Sequence, residues 1–136
     1  MTDPADLSAS VISHISLGTN DYPRASAFYD AVLPTLQIRK VMEHGESAGY
    51  GRAHPEFWIG RPHDGGRAVP GNGTHISFLA NSPAEVDAFH AKALGLGARC
   101  DGPPGLRPEY TPTYYAAFVR DLDGHKIEAM CFAGEG

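Results

Sequence analysis

The sequence predicts an α+β fold of two tandem βαβββ modules, curled into a mixed sheet around a cavity with the helices on the outer face. Three observations predict it. The chain repeats itself, each half switches once from strand to helix periodicity, and 16 Gly with 11 Pro supply many turns. Residues 14–38 read HISLGTNDYPRASAFYDAVLPTLQI and residues 75–99 read HISFLANSPAEVDAFHAKALGLGAR. At a constant offset of 61, His14 matches His75, Ile15 matches Ile76, Ser16 matches Ser77, Asn20 matches Asn81, Phe28 matches Phe89 and Leu33 matches Leu94, without a gap. Halves of about 60 residues are too long for solenoid repeats and suit a duplicated supersecondary unit. The expected organisation is one domain over residues 1–136, with module one at about 9–62 and module two at about 72–133.

Each half opens with a short β-branched or apolar strand, Val11–Leu17 and Thr74–Leu79. A helix follows. In the second half Ser82 is an N-cap, Pro83 takes the first helical position and Glu85 completes an S-x-x-E capping box. Val86, Phe89, Ala93 and Leu94 then recur along one amphipathic face. Asp21 holds the cap position in the first half, with Ala25, Phe28, Val32 and Leu33 on the corresponding face. Pro34 ends that helix; Gly95 and Gly97 end the other. Extended segments come next, at 36–42, 47–52 and 56–60 in module one and at 98–101, 113–120 and 125–132 in module two. Asp123-Gly124 marks a hairpin. The Pro- and Gly-rich stretches 61–73 and 102–112 read as loops, the first joining the modules and the second a potential lid carrying Arg107 and Glu109.

Strand alternation sorts the side chains. Ile15 and Leu17 oppose His14 and Ser16; Ile76 and Phe78 oppose His75 and Ser77; Ile127 and Ala129 oppose Glu128 and Met130. The apolar sets seat the helices, so His14, His75 and Glu128 project from the side left open. Two imidazoles and one carboxylate form a facial triad able to hold a divalent metal with positions free. The same histidines also read as ordinary hydrogen-bonded strand residues. Tyr50, Trp58, Tyr114 and Tyr115 are candidate pocket walls, and each equally fits a core position. Trp58 is the chain's one tryptophan, and Arg61 follows it at the start of a polar loop. Tyr114 or Tyr115 could serve as an acid or base; alternation does not say which. His44, His54, His90 and His125 read as surface residues.

At these residues the chain resembles the vicinal oxygen chelate superfamily, which includes glyoxalases, extradiol dioxygenases, fosfomycin-resistance enzymes and bleomycin-resistance proteins. The resemblance rests on His14 in the leading strand, Phe28-Tyr29 in the helix, Gly73-Thr74-His75, and Asp121-Leu122-Asp123-Gly124-His125-Lys126-Ile127-Glu128, which is similar to the family's D-P-D-G-x-x-I-E. It spans about residues 9–133. It implies metal ligands at His14, His75 and Glu128, with Glu128 also able to carry a proton as a catalytic group. It further implies a divalent cation (Zn, Ni, Mn or Fe), a small-molecule substrate and a homodimer. Lactoylglutathione lyases add an acidic ligand from the last strand of module one, where this chain reads Phe57-Trp58-Ile59-Gly60 with Glu56 only at the strand's start. Three-ligand members match better. The resemblance implies lyase, dioxygenase or transferase chemistry, or metal-free binding of the bleomycin-resistance type.

Composition excludes other classes. Eleven Lys and Arg, scattered among 16 Asp and Glu, leave a net charge of −5, a poor match to nucleic acid. No apolar run approaches the roughly 20 residues of a membrane span. The polar start MTDPADLSAS lacks the pattern of a secretory signal. Cys100 and Cys131 lack metal-type spacing and read as free thiols, so a cytoplasmic location is expected.

Overall fold

The computed structural model describes residues 11–133; the polar N-terminal stretch MTDPADLSAS read above lies outside them. Two four-stranded mixed sheets carry one helix each. In the first half, β1 (Ile15–Gly18) leads to α1 (Tyr22–Val32), then β2 (Arg39–Glu43), β3 (Ser47–Gly51) and β4 (Phe57–Gly60). In the second, β5 (His75–Leu79) leads to α2 (Pro83–Gly95), then β6 (Arg99–Leu106), β7 (Tyr114–Arg120) and β8 (Lys126–Phe132). Strand orders are β1-β4-β3-β2 and β5-β8-β7-β6, the same arrangement twice. In each half the first strand runs parallel to the last, and the remaining pairs are antiparallel.

The caps form where the residue types require. Asp21 accepts from the Arg24 amide at 3.2 Å, and Ser82 from the Glu85 amide at 3.2 Å. Glu85 reaches back to the Asn81 amide at 2.8 Å, one residue before the cap. Gly97, at φ 105°, takes the left-handed turn that frees the chain from α2. Pro34 does not end the chain's helical path outright: α1 gives way to a 3-10 turn over Leu33–Leu36 that contains it. Strand β6 reaches Leu106, into the stretch read as a loop. Pro103 and Pro104 are tolerated there because β6 is an edge strand and its pairing with β7 is broken by two register shifts.

Both halves share one core on the helix side. Tyr29, Val32, Leu33 and Leu36 of the first half meet Val86, Phe89 and Ala93 of the second, all essentially buried. Phe57 of β4 packs edge-on against Phe78 of β5 with ring centroids 5.0 Å apart. The turn between β7 and β8 is a polar bolt across this core. Asp121 accepts from the Tyr29 hydroxyl at 2.5 Å and from the amides of Asp123 and His125 at 3.0 and 2.9 Å. Asp123 caps the Asn20 amide at 3.0 Å. His125, read above as a surface residue, is buried, with Nε2 2.7 Å from the Gly18 carbonyl oxygen. Sequence distance concealed this contact, because the partner lies at the end of β1.

Gly51 closes the β3–β4 link with no room for a side chain. A Cβ there would fall 1.8 Å from the His54 carbonyl oxygen. Gly51→Ala is therefore expected to cost about 3 kcal/mol, because a backbone atom rather than a flexible side chain must move. Chemical denaturation, with an unchanged slope and an earlier midpoint, checks this.

Candidate metal and ligand site

The site grows from the parallel pairing of β5 with β8. Ser77 lies opposite Glu128 and His75 opposite Lys126. Ile127, Ala129 and Cys131 turn to the helices, so Lys126, Glu128 and Met130 turn to the open face. Glu128 is only 2% exposed there, because Phe118, directly across on β7, packs with Ala116, Met130 and Tyr114 over the same face. A buried carboxylate is costly unless its oxygens are partnered. Here Oε1 lies 2.8 Å from His75 Nε2, and Oε2 accepts from the Tyr114 hydroxyl at 2.6 Å. Burial, reinforced by the Glu128 carboxylate, pushes the Tyr114 hydroxyl up to about 12, so it remains a donor at neutral pH. The His75 side chain is 42% exposed and presents the pair to the open side.

The first sheet repeats this geometry with different chemistry. Ile15 pairs with Phe57 as Ile76 pairs with Ile127, so Ser16–Trp58 is the counterpart of Ser77–Glu128. Trp58 thus stands in the position that Glu128 holds in the second half. His14 lies one residue before β1, exposed, its Nδ1 2.9 Å from the Ser13 hydroxyl. Among the described residues no three His, Cys, Asp or Glu side chains gather into a metal-holding group. A single chain brings His75 and Glu128 together and leaves His14 apart. Imidazole nitrogen and carboxylate oxygen are fitting donors for Zn, Ni, Mn or Fe, so the pair could supply two donors to such a cation.

The other candidate residues separate by strand parity. Tyr114 shares the face of Glu128. Tyr115 turns to the helix side, where its hydroxyl donates to Asp87 of α2 at 2.7 Å. Tyr50 is fully buried on the helix side of β3, with its hydroxyl 2.9 Å from Asp30 and 3.3 Å from the Ser26 carbonyl. Its ring backs the cleft between the sheets, and its hydroxyl is committed to the core. The parity of their positions, opposite to that of Tyr114, turns both hydroxyls toward the helix side. Arg61 forms an exposed ion pair with Glu46 at 3.3 Å. Between the β1 and β5 edges lies a cleft of about 410 Å³, bordered by Ile12, Ser13, Arg52, Glu56, His75 and Ser77. Arg52 spans the two halves there, donating to the carbonyls of Leu36 at 2.8 Å and Leu79 at 2.6 Å. Sequence reading passed over Lys126, Arg120 and Phe118 on the open face. The signal for Lys126 was its position two residues before Glu128, which gives it the same parity.

The Glyoxalase/Bleomycin resistance protein/Dioxygenase superfamily pattern matches residues 11–129. The chain belongs to this superfamily. Among solved structures, a glyoxalase/bleomycin resistance protein from Albidiferax ferrireducens T118 is 38% identical. That match covers 89% of this chain and 98% of the other, with a TM-score of 0.81. The fosfomycin resistance protein FosX from Listeria monocytogenes is 21% identical over 93% of this chain and 94% of its own, with a TM-score of 0.64. TioX from Micromonospora sp. ML1 is 18% identical over 90% and 99%, at 0.62. At those identities the likeness to FosX and TioX shows a shared fold. No curated protein matches it. No helix among the described residues is long and apolar enough to cross a membrane.

Proposed function

We propose that this glyoxalase-superfamily chain is a divalent-metal-dependent enzyme that acts on a small oxygen-rich substrate by lyase, dioxygenase or transferase chemistry. In this reading it works as a homodimer whose sites are shared between subunits. The observation that carries the reading is the contact of His75 with Glu128 on a sheet face left open. His75 and Glu128 of one subunit and His14 of a second copy would hold the cation. Leu79 and Phe132, on the open face, are about half exposed or more, apolar groups suited to cover by that copy. Such a cation would supply Lewis-acid stabilisation of negative charge developing on the substrate's oxygens. The chain's own groups do the rest. Tyr114 fixes the Glu128 carboxylate through Oε2, Glu128 also accepts and returns a proton, and Trp58 supplies an apolar wall in place of a fourth ligand. The free thiols of Cys100 and Cys131 suit a reducing cytoplasm.

Thermal unfolding with and without Zn²⁺, Ni²⁺, Mn²⁺ or Fe²⁺ tests this. A cation at a hundred times its Kd adds about 2.7 kcal/mol, or about 10 °C for a chain of this size. His75→Ala should abolish the gain. Trace metal in the purified wild type, together with no gain from any of the four cations, would overturn the enzyme reading. Trp58 at the fourth-ligand position favours a second reading, a metal-free small-molecule binder. That reading expects ligand-dependent quenching of Trp58 fluorescence that persists in chelator.

A further inference from the structure

The register of the second sheet places four side chains in one row. His75 pairs with Lys126, Lys126 with Arg120, and Arg120 with Arg99, across all four strands. Directly paired residues leave a sheet on the same side. The row therefore lies on the open face, beside the His75–Glu128 pair and one step along β8 from it. Among the described residues Asp101 is the one carboxylate ion-paired with the row's lysine and arginines, 3.0 Å from Arg120 Nε and 3.8 Å from Lys126 Nζ, while Glu128 meets its histidine. One acid against three permanent cations leaves the row positive, in a chain whose net charge is −5. Both paired cations are held. The Lys126 ammonium lies 5.1 Å over the Phe118 ring, and Arg120 Nη1 donates to the Gly124 carbonyl at 3.2 Å. Their side chains are only about one-third exposed, so less water screens them than would screen a free surface lysine. They face a polar hollow of about 500 Å³, closed on one side by the Gly71–Thr74 turn and reaching His75.

We propose that Lys126 and Arg120 form an oxyanion-binding subsite that takes a carboxylate or phosphate group of the substrate. Neighbouring strands lie about 4.8 Å apart, so the anionic group sits one to two strands from His75. That spacing selects a small molecule whose acidic end rests on Lys126 and Arg120 while its other oxygens reach toward Glu128. The assignment of those other oxygens rests on the shared-site reading; the binding of the anion does not.

The experiment is a metal-free NMR titration of the ¹⁵N-labelled full chain with inorganic phosphate, and in parallel with malonate, at low salt. Saturable shifts are expected at the Gly71–Thr74, Arg120 and Lys126 amides, weakening as salt screens the cations. Lys126→Gln and Arg120→Gln should each weaken binding several-fold, and the pair about tenfold or more. Asp101→Asn removes the competing carboxylate and should tighten binding several-fold, while Lys92→Gln, on α2, should leave it unchanged. Tighter binding of phosphate assigns a phosphate-bearing substrate, and tighter binding of malonate a carboxylate. Should Arg120→Gln fail to fold, Lys126→Glu carries the test alone and should abolish binding. Saturation by neither anion, or wild-type affinity in the double variant, overturns the subsite. His14→Ala separates the two ideas: it removes metal if the site is shared and leaves phosphate affinity as it was.

Discussion

If His14→Ala and His75→Ala each lose metal, as the proposed site expects, mixing the two variants is expected to restore about a quarter of the wild-type metal content. The expectation follows from the proposed two-fold dimer. Each site there takes His14 from one subunit and His75 with Glu128 from the other. In a mixed dimer one site then keeps every ligand and the second loses both histidines. Random exchange makes half the dimers mixed, each with one of two sites intact. If the three ligands instead came together within one chain, mixing would restore nothing. Metal content after mixing, unfolding and refolding the pair reads the difference directly, and sedimentation confirms the dimer. The measurement distinguishes zero from a large fraction, and no other variant of this chain is expected to produce so clear a contrast. It also rests on observed geometry: His14 is exposed and outside the His75–Glu128 contact, which is why the proposed dimer takes it from a second chain.

Asp121→Ala should be the most damaging substitution away from that site, lowering stability by about 4 kcal/mol. Its carboxylate is buried and accepts three hydrogen bonds, from the Tyr29 hydroxyl and from two backbone amides. Truncation strands all three donors at the junction of the two halves. Tyr29→Phe removes only one donor and should cost about 2 kcal/mol, the larger part from the carboxylate left less well partnered. Denaturant midpoints at constant slope check both values. Burial raises the Asp121 carboxyl above the ordinary carboxylate range, against the lowering effect of the Tyr29 hydrogen bond. The folded chain therefore holds this proton more tightly than the unfolded chain does. The contribution of Asp121 is most favourable below its unfolded pKa, declines as pH rises through the raised folded value, and is flat above it. Asp121→Asn should remove that slope.

Much of the fold was legible because its signals are local. The repeat at an offset of 61, the Asp21 and Ser82 caps and the Gly97 stop are written in a few neighbouring residues, and the structure has both helices where those residues put them. The extent of β6 was not legible. Pro103-Pro104-Gly105 carries a loop composition, and only the edge position of the strand, with bulges in its pairing, lets such residues extend a sheet. Alternation likewise separated Tyr114 from Tyr115 without saying which faces which side. That depended on Tyr114 pairing with Phe132 and Tyr115 with Cys131 across β7 and β8.

By itself, the sequence determined that two copies of one supersecondary unit follow each other. It also determined that His75 and Glu128 leave their strands on the side the helices do not cover. Periodicity within a strand or helix is set by its own backbone, so a few residues suffice to specify it. Only the tertiary structure decided that β8 lies between β5 and β7. That placement brings an imidazole, a carboxylate and a phenol from three strands into contact and ranges Lys126 and Arg120 beside them. Strand neighbours are chosen by how two amphipathic helices bury their apolar faces in a common core, and that choice is a property of the whole chain rather than of any segment.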